Sequence, residues 1–428
     1  MLFGPGVPEK RAGAWKILVD EGWFRAEPEV TFGPKLGAAL GLSIERQTVS
    51  WTVVNDPTGQ SIGDGQVPFD ISPIALDDEA QERKLPFPEF RAGIEDILRD
   101  IRKETGMHAL AGVGVAWQGA IRPDGEPVHE FDQHHESFKV VSMRDEFAAA
   151  AAAAGFTRAG PPTDNEGPPP VHLINDADAD LLHEVRWGVA RDHSQAAGGV
   201  LGVKICGSIG GSVMHRGEFA WGVNGRNGEM GHARVPPVMP KAGRPAPAAG
   251  GNGFPNGQIQ CHCDQPDCIA RVASGRALVE ALNDGTPVDD YNAAGRELEK
   301  RIARRDARSS HPDTVFRIAG EALGRALQGP AAALGADLVI VTAFPWNDRL
   351  VEAVRYELAE SPALKRSDWS VLGTEPSRTR TAAGAARYII EREMLPRLED
   401  YVGIERKLLP HYARLRARKQ GMSAEAEG

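Results

Sequence analysis

Residues 261–268 read Cys-His-Cys-Asp-Gln-Pro-Asp-Cys and hold three of the four cysteines in the chain. Three soft thiolates in C-x-C-x4-C spacing need one more donor to close a tetrahedron around a metal. His232 is the leading candidate. It follows a glycine turn in "GEMGH", upstream of the cysteines. His262, between two of the cysteines, competes for the same role. A set of Cys261, Cys263, Cys268 and His232 favours zinc over magnesium or calcium. With all four positions filled by protein, such a metal shapes a loop and does not activate water. The alternative is a loop carrying free thiols.

The elements that must position these donors follow from periodicity. After Leu40 the pattern "LGLSIE", "TVSWTVVND", "GQSIGDGQVPF" predicts strands punctuated by Gly and Asp. An amphipathic helix is expected at about 88–104, then a buried strand "ALAGVGVAW". Phe138–Val141 and the alanine-rich 143–155 give a second strand–helix pair, and 160–170 a loop. "VHLIND" reads as a buried strand with a polar end. The order then repeats: a helix at 178–189, strands at 198–205 and 211–216, helices at 314–334, 347–359 and 381–393, and the strand "ADLVIVTA". Strands first and then alternation, twice over, predict two related α/β lobes. At the N-terminus, Arg11–Glu21 reads as a short helix and "GWFRAEPEVTFGP" as a β-hairpin. Together they match the last helix and wing of a winged helix, or a strap packed on the body.

Composition narrows the class. The chain has 428 residues and a formal net charge of -10. That length accommodates two cores, and the acidic balance argues against a protein that coats nucleic acid. The longest apolar run, Phe147–Phe156, is too short to cross a bilayer. No signal-peptide order opens the chain and no disulfide framework is evident, so a cytoplasmic location is expected. Residues 236–257 are a Pro/Gly/Ala insertion, read as a disordered loop or as a cap on a cleft or partner. The tail after Leu409 is expected to fray.

"GEMGH", the cysteine cluster and the "ASG" after it resemble the signature of the ROK family of repressors, open reading frames and sugar kinases. "INDADADLLHEVRWG", "GSIGGSVMHRGEFAWGVNG" and "AAGAARYI" resemble further family segments, and the resemblance runs over about 40–395. It implies an actin-like, two-lobed α/β sugar-kinase fold of the ribonuclease H-like kind, here with a truncated winged-helix-like N-terminal segment. The expected division is 1–37 for that segment, 38–172 and 173–384 for the two lobes, and 385–428 for a returning helix and tail. The resemblance further implies Asp176 as general base in a kinase, and Asn175, Asp176, Glu229 and His232 as sugar contacts. It implies structural zinc and a homodimer or homotetramer. The expected partners are a sugar in an interlobe cleft and, for the repressor reading, DNA, with no membrane partner.

The nucleotide loops depart from the family. Where kinases carry Asp-x-Gly-Gly-Thr, this chain has Ser43, Ile44, Glu45, Arg46 and Gln47. A phosphate cradle needs glycine for close backbone approach and repels a carboxylate. The second loop, Gly-Thr-Gly-Ile-Gly-Gly-Gly in the family, reads Cys206, Gly207, Ser208, Ile209, Gly210, Gly211, Ser212. Thr342 and Ala343 stand at a third, usually Gly-rich, turn, and Ala270 replaces a sugar-binding Glu. The resulting expectation is a regulator or sugar sensor with degenerate ATP loops. The alternative is an ATP- and magnesium-dependent hexose or N-acetylhexosamine kinase.

Overall fold

The structure is a computed structural model. It describes residues 24–25, 31–33, 36–71, 87–128, 141–160, 167–235, 263–283, 288, 291–303 and 312–397, save Arg46, Pro57, Pro123, Val223, Asp264, Pro266, Ala363 and residues 365–367. The expected helix at Arg11–Glu21, most of the expected strand at Phe138–Val141, the 236–257 insertion, Cys261, His262 and the tail lie outside the described residues.

The chain forms two compact units. Unit 1 comprises Met1–Trp187, Gly222–Arg226 and Ser377–Gly428; unit 2 comprises Gly188–Trp221 and Asn227–Pro376. Unit 1 opens with a small antiparallel pair, β1 (Phe24–Arg25) and β2 (Thr31–Phe32), with Phe24 opposite Phe32. The Phe32 amide donates to Asn55 O, which ties the pair to the main sheet.

The main sheet of unit 1 contains β3 (Ala38–Glu45), β4 (Thr48–Val54), β5 (Ser61–Pro68), β6 (Ala109–Trp117), β7 (Thr157–Arg158) and β8 (Val171–Asn175). β3, β4 and β5 form an antiparallel meander; β6 joins β3 in parallel, and β7 and β8 both join β6 in parallel. Its helices are α1 (Phe87–Thr105), α2 (Met143–Ala153) and α3 (Asp176–Arg186). On α1, Phe90, Ile94, Ile97, Leu98 and Ile101 recur at helical spacing and are buried. They join Leu40, Leu42, Val113 and Val115 in one core.

Unit 2 repeats the plan. β9 (Gly199–Ile205), β10 (Ile209–His215) and β11 (Glu218–Phe219) form an antiparallel meander, and β12 (Ala336–Ala343) and β13 (Ser370–Thr374) follow in parallel beyond β9. Its helices are α4 (Ala270–Ala273), α5 (Gly275–Leu282), α6 (Tyr291–Ala303), α7 (Pro312–Leu334) and α8 (Asp348–Ala359). Val203, Val341, Phe316, Leu323 and Leu350 belong to its core.

The last helix among the described residues, α9 (Arg378–Ile389), continues into a wider turn at Ile390–Met394 and belongs to unit 1. A Cβ on Gly41 would lie 1.8 Å from Ala382 O, so only glycine lets α9 lie this close to β3. Two boundaries differ from those expected. Residues 173–187 fall in unit 1, because β8 pairs with β6 and α3 packs on α9. The return to unit 1 begins at Ser377 and not at 385.

Candidate functional site

In unit 2, Glu229 precedes a single tight turn at Met230–His232. Backbone contact with β10 fixes that turn. A Cβ on Gly211 would lie 2.3 Å from Gly228 O, and one on Gly228 would lie 2.3 Å from Gly211 O. Gly228 also has φ +114, where a side chain is strained.

His232 uses its two ring edges differently. Nδ1 lies 3.9 Å from Cys268 Sγ, and Nε2 lies 3.7 Å from Glu229 Oε2. Burial holds the imidazole below its ordinary range, which favours the neutral form that ligates metal. Cys268 is fully buried and its thiol donates to Gly231 O at 3.1 Å. The donor atoms of His232, Cys263 and Cys268 lie within 4.8 Å of one another. A tetrahedral centre with bonds of about 2.0–2.3 Å sets its donors roughly 3.5 Å apart. One imidazole and two thiols at this spacing fit a thiolate-preferring metal, and inward movement of about an ångström closes them around it. Such a metal would hold the loop after His232 against the loop of the cysteines.

Protein contacts already brace those two loops. The backbones of Arg234 and Cys268 pair; the Val235 amide donates to Asp267 O at 2.8 Å and the Ile269 amide to Ala233 O at 2.9 Å. Arg234 donates to Gln265 Oε1 at 2.6 Å and stands 3.6 Å from Asp267. Sequence reasoning did not single out Arg234, Gln265 or Asp267. The only available signal was that Gln265 and Asp267 lie inside the C-x4-C interval. Ala270 is buried at the start of α4, directly after this loop.

In unit 1, Asn175 ends β8 and Asp176 begins α3, half-buried. Asn175 caps the helix: its Oδ1 accepts from the amides of Ala177 at 2.8 Å and Asp178 at 3.3 Å. Its Nδ2 donates to Gly119 O at 2.7 Å. The side-chain oxygen is therefore committed to the helix, and Asn175 can address a ligand only through N–H. This cap sets where Asp176 leaves the strand.

Buried charge ties α3 to α9. Glu391 accepts from Arg186 Nε at 2.6 Å and from Arg387 Nε at 3.0 Å. Burial pushes the Glu391 carboxyl up, but the two guanidiniums outweigh it and bring it down to about 2. Thr381 donates to Asp180 at 3.0 Å. His183, on the same helix, is pushed down to about 4 by burial and by nearby Arg380.

The nucleotide-loop positions have another character. Ser43 is buried within β3, paired with Ser50, and Glu45 pairs with Thr48 at the end of the hairpin. In the β9–β10 turn the Cys206 amide donates to Ser208 O at 2.9 Å; Ser208 is exposed, Gly207 and Gly210 are half-buried, and Gly211 is buried. Thr342 and Ala343 are buried at the end of β12.

The family model described as "ROK family" matches residues 162–388, more than half of the chain. The chain belongs to the ROK family. A glucokinase of Thermotoga maritima is 27% identical over 199 residues, which are 45% of this chain and 50% of the relative. A glucokinase of Halalkalibacterium halodurans is 26% identical over 180 residues, 40% of this chain and 48% of the relative. The chain thus spans about half the length of the curated relatives it matches. Among solved structures, a ROK family transcriptional regulator homologous to the E. coli MLC protein superposes with TM-score 0.59 at 14% identity, covering 96% of this chain and 92% of that one. A ROK family glucokinase of Streptomyces griseus, in complex with glucose and AMPPNP, gives TM-score 0.56 at 19% identity over 82% of this chain and 99% of that one. At these identities the likeness is one of fold, and the fold is the actin-like one of ROK kinases and regulators. No helix among the described residues is long and apolar enough to cross a membrane.

Proposed function

We propose that this ROK protein is a regulator or sensor that binds a sugar or sugar derivative and does not phosphorylate it. One observation carries the reading. Where a kinase of the family presents an open Asp-Gly-Gly turn to phosphate, Ser43 is buried in a paired strand and Glu45 closes the hairpin against Thr48. A carboxylate at that place repels a nucleotide's phosphates.

Glu229 accepts hydrogen bonds from sugar hydroxyls, and His232 adds the ring edge that is turned toward Glu229. Asp176 and the N–H of Asn175 contribute from their own unit. Zinc on His232, Cys263, Cys268 and Cys261 holds the Glu229 turn in shape and takes no part in chemistry. With Ala270 in place of a glutamate, one sugar hydroxyl lacks an acceptor, which lowers affinity for a plain hexose by about 1–3 kcal/mol. DNA is the second partner in this reading, through the N-terminal segment. Titration calorimetry with hexoses, N-acetylhexosamines and their phosphates tests the sugar claim. Binding that Glu229→Gln weakens at least tenfold supports it; no binding across the panel by metal-loaded protein sinks it.

A second reading, an ATP-dependent sugar kinase, draws on Asp176 at the first position of α3 and on the similarity to two glucokinases. Asp176 would then take the proton from the attacking hydroxyl.

A further inference from the structure

The chain passes between its two units at four points, among them Trp187–Gly188 and Pro376–Ser377. Inside unit 1, both of these crossings are tied to one short stretch of chain. That stretch joins β4 to β5, between Val54 and Ser61. Asp56 stiffens it. Its buried carboxylate accepts from the Thr58 amide at 2.6 Å, from the Gly59 amide at 3.1 Å and from the Thr58 hydroxyl. A side chain that bonds its own turn in this way holds the backbone in one shape.

Trp187 ends α3 and is the last residue before the first crossing. Its indole lies so close to Gly59 that a Cβ there would stand 2.4 Å from ring carbons Cδ2 and Cε2. Gly59 also has φ +89, so both its conformation and its neighbour require glycine. Arg387 of α9 lies over the same indole, 5.3 Å from the ring centroid, and the His183 ring stands nearly perpendicular to it. Glu391 in turn pins Arg387 together with Arg186, the residue before Trp187. The second crossing reaches the same stretch by another route. Two residues past Ser377, Thr379 O accepts from Thr52 Oγ1 at 3.0 Å, and Thr52 lies on β4, three residues before Asn55. Asn55 O accepts from the Phe32 amide at 2.5 Å, and that bond seats the N-terminal hairpin of β1 and β2.

We infer that Trp187 is a positioning residue for the N-terminal hairpin, acting through the residues between Val54 and Ser61. A change of backbone at 187–188 displaces a large, rigid ring. Gly59 has to follow, because packing this close leaves no slack. Asp56 carries the displacement along the turn it braces, and Asn55 moves the carbonyl to which Phe32 is bonded. Thr52 feeds movement at the start of α9 into the same strand end. The link holds whatever either unit binds. Under the regulator reading above, on which only this consequence rests, it lets events at the crossings set the placement of the wing-like hairpin.

The test is amide hydrogen exchange on the full chain with no ligand added. Trp187→Leu should speed exchange at the Phe32 amide by about tenfold or more and leave Val113, in the core of β6, unchanged, since local opening does not require global unfolding. Trp187→Phe keeps a ring against Gly59 and should retain most of the protection. Gly59→Ala, which drives a Cβ into the indole, should also speed Phe32, and Thr52→Val should give a smaller rise from the second crossing. Those two variants decide the matter if Trp187→Leu does not fold. A merely structural Trp187 gives a different pattern, a lower melting temperature with exchange at Phe32 and Val113 rising together. That pattern, or unchanged exchange at Phe32 in the variants, overturns the proposal. Because no sugar or DNA enters the experiment, its outcome is independent of the regulator reading.

Discussion

Two tight turns of this molecule treat glycine in opposite ways. At Gly211 and Gly228, backbone touches backbone so closely that a single Cβ has no room, and both glycines are in place. At the β3–β4 hairpin, where kinases of the family use glycines to bring backbone to phosphate, Ser43 is buried and Glu45 is paired. At Gly211 and Gly228 the chain keeps glycine because its own backbone demands close approach, and at the β3–β4 hairpin it lacks the glycines a nucleotide would need, although the β9–β10 turn retains Gly207 and Gly210. That contrast separates what holds the Glu229 turn from what would hold ATP.

The contrast can be broken most severely at Gly228. Gly228→Ala combines strain at φ +114 with a clash against Gly211, and is expected to cost about 2–5 kcal/mol in a denaturant melt, abolishing sugar binding with it. A near-neutral result would show that the turn is looser than its contacts imply. Acid titration comes next. His183 has a folded pKa of about 4 against 6.5 unfolded, so its contribution is complete above pH 6.5 and falls away between pH 6.5 and 4, by roughly 1.4 kcal/mol per pH unit. Glu391, at about 2 against 4.5, extends the loss from pH 4.5 downward. Melts across pH 7 to 4 check this, and His183→Asn should flatten the upper part. Cys268→Ser should lower metal affinity by more than about 100-fold, measured by chelator competition, while leaving the β3–β4 hairpin untouched. Thr52→Val, which removes the bond to Thr379 O, should cost about 1 kcal/mol. Smallest of all, Glu45→Gly should change stability by under about 0.5 kcal/mol and restore no ADP formation by itself.

Much of this architecture was legible in the sequence, because periodicity and punctuation carry it. "ADLVIVTA" is a strand over its whole length, and the apolar spacing of 87–105 marks a helix. His232, Cys263 and Cys268 converge because their spacing reflects two loops crossing at one point. Other features were not legible. Asn175 as a helix cap depends on where β8 stops, and an Asn-Asp pair reads equally well as two ligand contacts. The unit boundary depends on β8 pairing with β6, a long-range choice that local pattern does not encode. The Arg234 brace and the shared Glu391 arise from side chains distant in sequence or on opposite helices, and charge alone does not pair them.

The most direct measurement is ADP release by zinc-loaded protein with magnesium, ATP and each sugar that calorimetry shows to bind, run beside Asp176→Asn. The expected result is sugar binding with no ADP above the Asp176→Asn background. Sugar-dependent ADP release that disappears in Asp176→Asn would contradict the central claim and make this chain a kinase despite Ser43 and Glu45.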